Sequence, residues 1–546
     1  MRLEKAILLG IIFAILLSGC MNNSPIPLTS TPTPVKKAPI AASLDEPPTP
    51  IPTATATSIP ILQPLNEPFS YGPNAEDFPE GINPLTGRPV PDPEQLKEPA
   101  LLISIPHFPS VARPQAGISF APWVFEFLIA EGTTRFLATF YGEMPYQETP
   151  IIGDCEVRKE PFVQSDLILG NFIWLDKNEN GIQDVDERGM GGICVKLLDA
   201  NGNVLEETSS DSNGYYGFNV SAGMDMHIEV VLPPDMTFTL QDVGFDDLDS
   251  DINPETGRST VSSIGADERN LDVGLLPSED VFAKNNEVEL TFGEQVGPVR
   301  SGRLVYIPIH ESFQYSCLIF AGATWQIEDL IPRCATVYGI GDGAGGFLEI
   351  ERMKRISAEN AEGLHSNFNY AGNIFSEIPP EGGLPAKELD IFTSLLNQSK
   401  WVYDPLHQGW LRYVGDVSEN PTFHPEIDRL TGRELIFQNV ILLEVEHTVW
   451  APRVIEMSLG SGLIGNATLF RDGQKYDIRW STYATEYSQK IGKRNPLRFV
   501  DKDNNPVALH PGHTWLFIST PYSILEESAD QLWKLRIYSP EGAGEY

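Results

Sequence analysis

Apolar and polar positions are arranged in several distinct ways along this chain, and each change of pattern marks a change of element. Residues 6–17 form an unbroken apolar run behind Arg2 and Lys5. The run is too short to span a bilayer comfortably and has the form of a signal peptide. No later stretch is apolar for long enough to make a second membrane segment. From residue 21 to about 78, runs such as Thr31-Pro32-Thr33-Pro34 and Pro47-Pro48-Thr49-Pro50 carry little apolar surface. Such a tract cannot build a core, and its prolines favour an extended stalk. Ordered patterning begins near Gly81. Residues 100–105 read as a buried strand. Ser119 is placed to cap a helix whose apolar positions Phe120, Trp123, Val124, Phe127 and Leu128 keep helical spacing, with Pro122 in its first turn. Residues 134–141 return as a strand, and 170–175 and 193–198 read as two more. Residues 316–323 predict a strand and turn, followed by a short helix through Trp325, Ile327, Leu330 and Ile331. Beyond about residue 376, alternating apolar stretches separated by Gly, Asp and Asn turns predict a mostly β region.

Between the strands at 170–175 and 193–198 lies a candidate metal site. Residues 176–187 fit the twelve-residue calcium loop D-x-[DN]-x-[DN]-G-x5-E without a gap. Asp176, Asn178 and Asn180 supply side-chain oxygens at loop positions 1, 3 and 5. Gly181 allows the sharp turn, Ile182 offers its carbonyl, Asp184 holds position 9 and Glu187 closes the shell with two oxygens. The competing reading is an acidic, Asn/Gly-rich surface turn. Because strands flank the loop, it belongs to a β-module and not to a helix–loop–helix sensor. A second cluster, Asp246, Asp247, Asp249 and Asp251, reads either as ligands for another calcium or as a solvated acidic loop.

Composition sharpens this picture. The 546 residues allow two to four domains with substantial cores. A net charge of -37 offers no basic stripe for phosphates, so nucleic acid is not an expected partner. Residues 166–276 hold 22 acidic and 5 basic side chains, which places 17 of the 37 excess negative charges around the proposed calcium loop. With Cys20 set aside at the end of the leader, Cys155, Cys194, Cys317 and Cys334 remain. Export makes disulfides possible, in any of three connectivities, and burial as free thiols is the alternative. No CxxC or Cys/His cluster points to zinc.

Three resemblances follow from the motifs. Leu17-Ser18-Gly19-Cys20 resembles the lipobox of bacterial lipoproteins, which implies that Cys20 becomes the lipidated first residue of the mature chain. Asn83-Pro84-Leu85-Thr86-Gly87, Ala112-Arg113-Pro114-Gln115-Ala116-Gly117, Glu126 and Thr134-Arg135-Phe136-Leu137 resemble the opening of the YerB-like bacterial lipoproteins, a domain of unknown function. Its continuation, Gly297-Pro298-Val299-Arg300-Ser301-Gly302-Arg303, comes only after the acidic segment. Ile427-Asp428-Arg429-Leu430-Thr431-Gly432, Phe470-Arg471-Asp472-Gly473 and Leu509-His510-Pro511-Gly512-His513-Thr514-Trp515 resemble the C-terminal domain of that family. The chain departs from the family at Pro106-His107-Phe108-Pro109 and at Pro122-Trp123. The acidic segment, with Gly170-Asn171-Phe172-Ile173-Trp174-Leu175-Asp176, Asp211-Ser212-Asn213-Gly214-Tyr215 and Leu271-Asp272-Val273-Gly274-Leu275, resembles one B repeat of the serine-aspartate-repeat adhesins. The resemblance implies a β-sandwich stalk module stiffened by calcium.

The expected architecture is therefore multidomain. A signal peptide (1–19) and a lipidated, Pro/Thr-rich linker (20–80) precede an α/β or α+β host domain in two parts (81–165 and 277–375). A calcium-binding β-sandwich (166–276) interrupts the host, and a mostly β C-terminal domain (376–546) follows. No GxSxG, HExxH or Walker loop is present. Arg113, Glu126, Arg135, Arg300, Arg303, His310 and His365 are polar residues within the YerB-like stretches. If they converge on a cleft, the arginines suit a carboxylate or phosphate-bearing ligand. The other reading makes each a surface or ion-paired structural group. Three turns with similar sequences, at 83–88, 253–258 and 428–433, occur in different modules and are read as turn chemistry. The expected function is a lipid-anchored binding or structural protein at the outer face of the cell membrane, meeting a cell-wall or surface ligand. An envelope hydrolase or transferase using the Arg/His/Glu set is the alternative.

Overall fold

The computed structural model describes residues 69–130, 132–148, 152–277, 294–338, 345–364, 367–451, 454–485, 489–490 and 495–540. The leader, Cys20, nearly all of the Pro/Thr-rich tract and His365 lie outside these residues.

Three apolar segments open the ordered chain as strands: β1 (Leu101–Pro106), β2 (Trp123–Ala130) and β3 (Thr133–Phe140), each buried along its whole length. β2 replaces the helix expected behind Ser119, which is reduced to a single 3-10 turn at Ile118–Phe120. The reason is burial on both faces. A strand covered on each side shows no polar alternation, so its apolar run also satisfies helical spacing.

The acidic segment then builds its own sandwich from β4 (Leu167–Leu175), β5 (Cys194–Asp199), β6 (Val204–Ser209), β7 (Tyr215–Val220), β8 (Asp225–Val231), β9 (Met236–Phe238) and β10 (Val273–Pro277). One sheet runs β9–β10–β4–β7. The other runs β8–β5–β6, with the short strand Ser262–Ser263 beside β8. Ile173, Val195, Phe218, Ile228 and Val273 meet between them in a core that shares no residue with the rest of the protein. Burying side chains of this size contributes about 1.5–3 kcal/mol each. Cys155, on the incoming connection, is bonded to Cys194 at the start of β5, and Cys317 to Cys334, which selects one of the three connectivities.

After the sandwich the chain returns to the first sheet. Helix α1 (Tyr306–Ser312) leads into β11 (Cys317–Phe320), which pairs in parallel with β1, Cys317 opposite Leu101. The short helix expected around Trp325 is only a 3-10 turn at Glu328–Leu330, and Trp325 itself is exposed. Helix α2 (Ile350–Glu362) follows. The remaining strands used below are β12 (Glu388–Ser394), β13 (Asn397–Asp404), β14 (Gly409–Gly415), β15 (Asn439–Glu444), β16 (Ile464–Arg471), β17 (Gln474–Ser481), β18 (Thr514–Ser519), β19 (Ile524–Ala529) and β20 (Leu532–Arg536).

A single 11-stranded sheet runs through both ends of the chain, with the central order β11–β1–β3–β2–β18–β15–β16–β17. The join is β2 on β18, parallel, with Trp123 opposite Thr514 and Phe127 opposite Ile518. A second sheet, β14–β13–β12–β20–β19, covers one face, where Val124, Phe136 and Trp515 meet Leu389, Trp401 and Trp410. The opposite face packs Phe125 and Phe127 against Tyr306 and Phe313 from around α1. With two α-helices among the described residues, the protein is mostly β.

The three look-alike turns share one geometry. Gly87, Gly257 and Gly432 have φ of 66°, 70° and 69°, and each donates its N–H to the carbonyl four residues back. The leading side chain accepts from the N–H two residues on, at 2.9 Å for Asn83, 3.0 Å for Asn253 and 2.9 Å for Asp428. This is an Asx turn closed by a glycine in the left-handed region.

Candidate functional site

The loop at 176–187 leaves the end of β4, with its acidic ends turned inward. Asp176 and Glu187 are buried, while Asn178 is exposed and Asn180 and Asp184 are half-buried. Asp176 accepts from the Gly181 N–H at 2.8 Å and from the Thr239 hydroxyl at 2.5 Å. Asn178 and Asn180 each take the N–H two residues ahead, at 3.1 and 2.7 Å, which coils the chain tightly. Their side-chain amides both donate to one oxygen of Asp184, at 2.7 and 2.8 Å. Glu187 closes the loop by accepting from the N–H groups of Lys177 at 2.6 Å and Asp184 at 3.1 Å. Gly181 sits at φ 80°, and a Cβ there would come within 3.0 Å of Leu240 and Val243.

This arrangement fits a hard cation. Positions 1, 3, 5, 9 and 12 are drawn into one network, and turning the two Asn amides would present their oxygens in place of their N–H groups. Burial, with the neighbouring Asp176 and Asp184 adding to it, pushes the Glu187 carboxyl up to about 7 against the pull of its backbone hydrogen bonds. A cation relieves that crowding. Among the described residues no three His, Cys, Asp or Glu side chains stand together at metal-binding spacing.

The second acidic segment lies directly against this loop, through a bridge between Ile182 and Asp249 and the Gln183 N–H donated to the Leu248 carbonyl at 2.7 Å. Its members are not equivalent. Asp246 and Asp247 are exposed, and Asp246 accepts from the Asn270 amide. Asp249 is buried and accepts from the Gly244 N–H at 2.6 Å. Asp251 accepts from the Asp272 N–H at 2.6 Å, and burial pushes its carboxyl up to about 7. Asp272 is the residue that motif reading passed over. One of its oxygens takes Asn171 at 2.9 Å and the Phe172 N–H at 3.1 Å, and the other is buried with no donor. Burial raises its pKa strongly, and Asp251 adds to this. The available signal was an acid between apolar neighbours, Leu271 and Val273.

The host candidates do not meet in one pocket. Arg113 and Glu126 lie on the face covered by the second sheet. Glu126 is 1% exposed and accepts from Thr134 at 2.7 Å, the Trp515 indole at 3.0 Å and Arg412 at 3.3 Å, with His107 Nδ1 at 3.7 Å. Arg412 also pairs with Glu426. Arg113 donates to the His107 carbonyl at 3.2 Å. Burial, with Arg113 and Arg412 nearby, holds His107 well below its usual range and therefore neutral. This is an ion-paired network that joins the two sheets.

Arg135, Arg300 and Arg303 gather on the opposite face. Arg135 leaves β3 beside Pro106 and donates to the Ser301 carbonyl at 3.0 Å. The Arg300 N–H donates to the Ser104 carbonyl at 2.9 Å, and the Ser104 hydroxyl sits 2.5 Å from that of Tyr306. His310 lies away from them on α1, 2.8 Å from the Ser316 hydroxyl.

A third cluster docks the sandwich on the host. Asp211, in the β6–β7 turn, meets His407 Nε2 at 2.7 Å and Arg158 at 2.6 Å, and the Tyr215 ring lies 4.2 Å from that of His407. Arg433 reaches across from the host to the carbonyls of Ser212 at 2.6 Å and Gly189 at 2.8 Å while paired with Glu148. Burial alone would lower His407, but the charge and hydrogen bond of Asp211 outweigh it and raise its pKa. The motifs that hold Asp211, Tyr215 and Arg433 do not announce this contact, because it exists only once the two modules are folded.

Family models account for three stretches of the chain. The SdrD B-like domain matches residues 167–275, and the N- and C-terminal domains of the protein of unknown function DUF3048 match 85–155 and 389–516. Serine-aspartate repeat-containing protein D of Staphylococcus aureus (strain Newman) is 39% identical over 107 residues, covering 20% of this chain and 8% of that protein. A fibrinogen-binding protein of Staphylococcus epidermidis is 38% identical over 112 residues, 20% of this chain and 10% of that protein. The chain thus spans a tenth or less of the length of these curated relatives. The solved structure of the YerB protein from Bacillus subtilis aligns over 80% of this chain and 95% of that one, with 14% identity and a TM-score of 0.40. Models of the N- and C-terminal domains of the DUF3048 family thus match this chain on either side of a stretch that matches the SdrD B-like domain.

Proposed function

We propose that this protein is a lipid-anchored, extracytoplasmic binding or structural protein of the bacterial cell envelope, whose SdrD B-like domain is made rigid by calcium. The observation that carries this reading is the loop at 176–187, where Asp176, Asn178, Asn180, Asp184 and Glu187 are joined in one hydrogen-bonded network. The likeness to a serine-aspartate repeat protein and to a protein named for fibrinogen binding supports placement at a surface that meets a ligand. The lipobox-like Leu17-Ser18-Gly19-Cys20 supports a lipid anchor. Replacing Cys20 with alanine should release the protein from the membrane fraction, and unchanged attachment would overturn that part of the reading.

The test of the calcium role is a melt of the full chain with and without chelator. Extracellular sites of this type bind at roughly 10⁻⁴ to 10⁻³ M. A hundredfold excess of calcium over the dissociation constant stabilises the folded sandwich by about 2.7 kcal/mol. Chelation should lower the sandwich transition and open residues 176–187 to protease, and Asp176→Asn should do the same in calcium. Superimposable melts and digests would reduce the loop to an acidic turn.

A further inference from the structure

Among the described residues, several buried and half-buried arginines are paired with carboxylates. Arg158, Arg188, Arg412, Arg433 and Arg471 each hold a carboxylate: Asp211, Glu143, Glu126 with Glu426, Glu148 and Asp472. Arg135 is 3% exposed, yet among the described residues no carboxylate pairs with it. Its NH1 reaches only the carbonyl and hydroxyl of Ser301, at 3.0 and 3.5 Å, and its Nε–H is buried with no acceptor. Its charged neighbours have the same sign. Burial first, then Arg303 and Arg300, press its pKa down to about 9 against the opposing effect of Tyr306.

A buried guanidinium with an unused donor and cationic neighbours is costly unless something anionic completes it. The scaffold around it is firmly built. Ser104 on β1 takes the Arg300 N–H, and its hydroxyl bridges Tyr306 and the Ser301 carbonyl at 2.5 and 3.3 Å. The Gly302 N–H donates to the Gly322 carbonyl at 2.7 Å, which fixes the turn carrying Arg300 and Arg303. Both of those side chains are half-buried, so the cluster opens to solvent on their side.

We propose that Arg135, Arg300 and Arg303, with the Ser301 and Tyr306 hydroxyls, form a binding site for a phosphate group, either free or as an ester. Phosphate suits the site better than a carboxylate because it presents more oxygens and more charge to several guanidinium forks at once. The site is independent of the loop at 176–187, which belongs to the sandwich with its separate core.

Calorimetric titration of the full chain at low ionic strength with inorganic phosphate, sn-glycerol 3-phosphate and acetate tests the proposal. Saturable binding of one or both phosphate ligands, tighter than acetate, is expected, and which of the two binds better separates free phosphate from an ester. Arg300→Gln should weaken binding at least about tenfold, the loss of one charge-assisted contact, and Arg135→Gln should abolish it. Arg536→Gln, at the end of β20 in the second sheet, should leave it unchanged. Arg300 is half-buried, so that variant decides the matter even if Arg135→Gln fails to fold. Absence of binding in the unaltered protein, acetate binding as tightly as phosphate, or equal affinity in Arg300→Gln would overturn the site.

Discussion

Replacing Arg412 with methionine is expected to destabilise the host by about 3–5 kcal/mol, the usual cost of removing one member of a buried ion-paired group. Arg412 has no exposed side-chain surface and holds Glu126 and Glu426, which are 1% and 2% exposed. Its guanidinium also lies 5.2, 5.5 and 4.5 Å from the ring centres of Phe136, Trp401 and Trp515. Those rings come from both sheets, so the arginine links the two layers. Without it, two buried carboxylates lose the cation they share. Urea unfolding at pH 7 measures the loss. The triple variant Arg412→Met, Glu126→Gln, Glu426→Gln should recover much of it, because no buried charge is then left alone. A loss below about 1 kcal/mol for the single change, or no recovery in the triple variant, would contradict this account.

Replacing Asp211 with alanine should cost about 3 kcal/mol and loosen the sandwich from the host. The carboxylate accepts from His407 and Arg158, and also from the N–H groups of Asn213 and Tyr215 at 2.9 and 3.1 Å. All of these partners lose it at once. The same contact carries a pH dependence. His407 has a raised pKa, so its contribution is fully present below about 6.5, its ordinary value, and is lost as pH rises through the folded value. Asp211 has a lowered pKa, so its contribution is present above about 3.9 and is lost as pH falls through its folded value. Asp404 supports the charged imidazole and Arg158 opposes it. Glu434, pushed up to about 7 by burial with Asp211 adding to it, also disfavours the folded state as pH rises. Docking should therefore be tightest in the mildly acid range and weaken above pH 7. The urea midpoint of the full chain between pH 5 and 8.5 checks this, and His407→Gln should flatten the alkaline side. A midpoint that rises from pH 6 to 8 would have the wrong sign.

Local patterns were the most legible part of this protein. The strands that flank residues 176–187 and the three Asx-glycine turns depend on residues within about twelve positions, so spacing alone determined them. The burial of β1 was readable for the same reason, as a continuous apolar run. The misreading at 119–128 came from a property that spacing does not contain, namely which faces a segment will have covered. β2 is buried on both faces because β13 and β14 approach from one side and α1 from the other.

Tertiary structure decided everything that joins distant positions. The pairing of β2 with β18 brings Trp123 beside Thr514, and nothing local to either strand encodes that register. The cysteine connectivity is of the same kind. So is the split of the host candidates, with Glu126 and Arg113 on one face of the sheet and Arg135, Arg300 and Arg303 on the other. Successive strand residues point to opposite faces, so Glu126 and Arg135, in neighbouring strands and near in sequence, serve different layers. The sequence by itself determined which modules are present and the chemistry of their turns. Which charges are neutralised, as at Arg412, and which are left wanting an anion, as at Arg135, was settled only by packing, because a charge acquires its partners from whatever the fold brings within hydrogen-bonding reach.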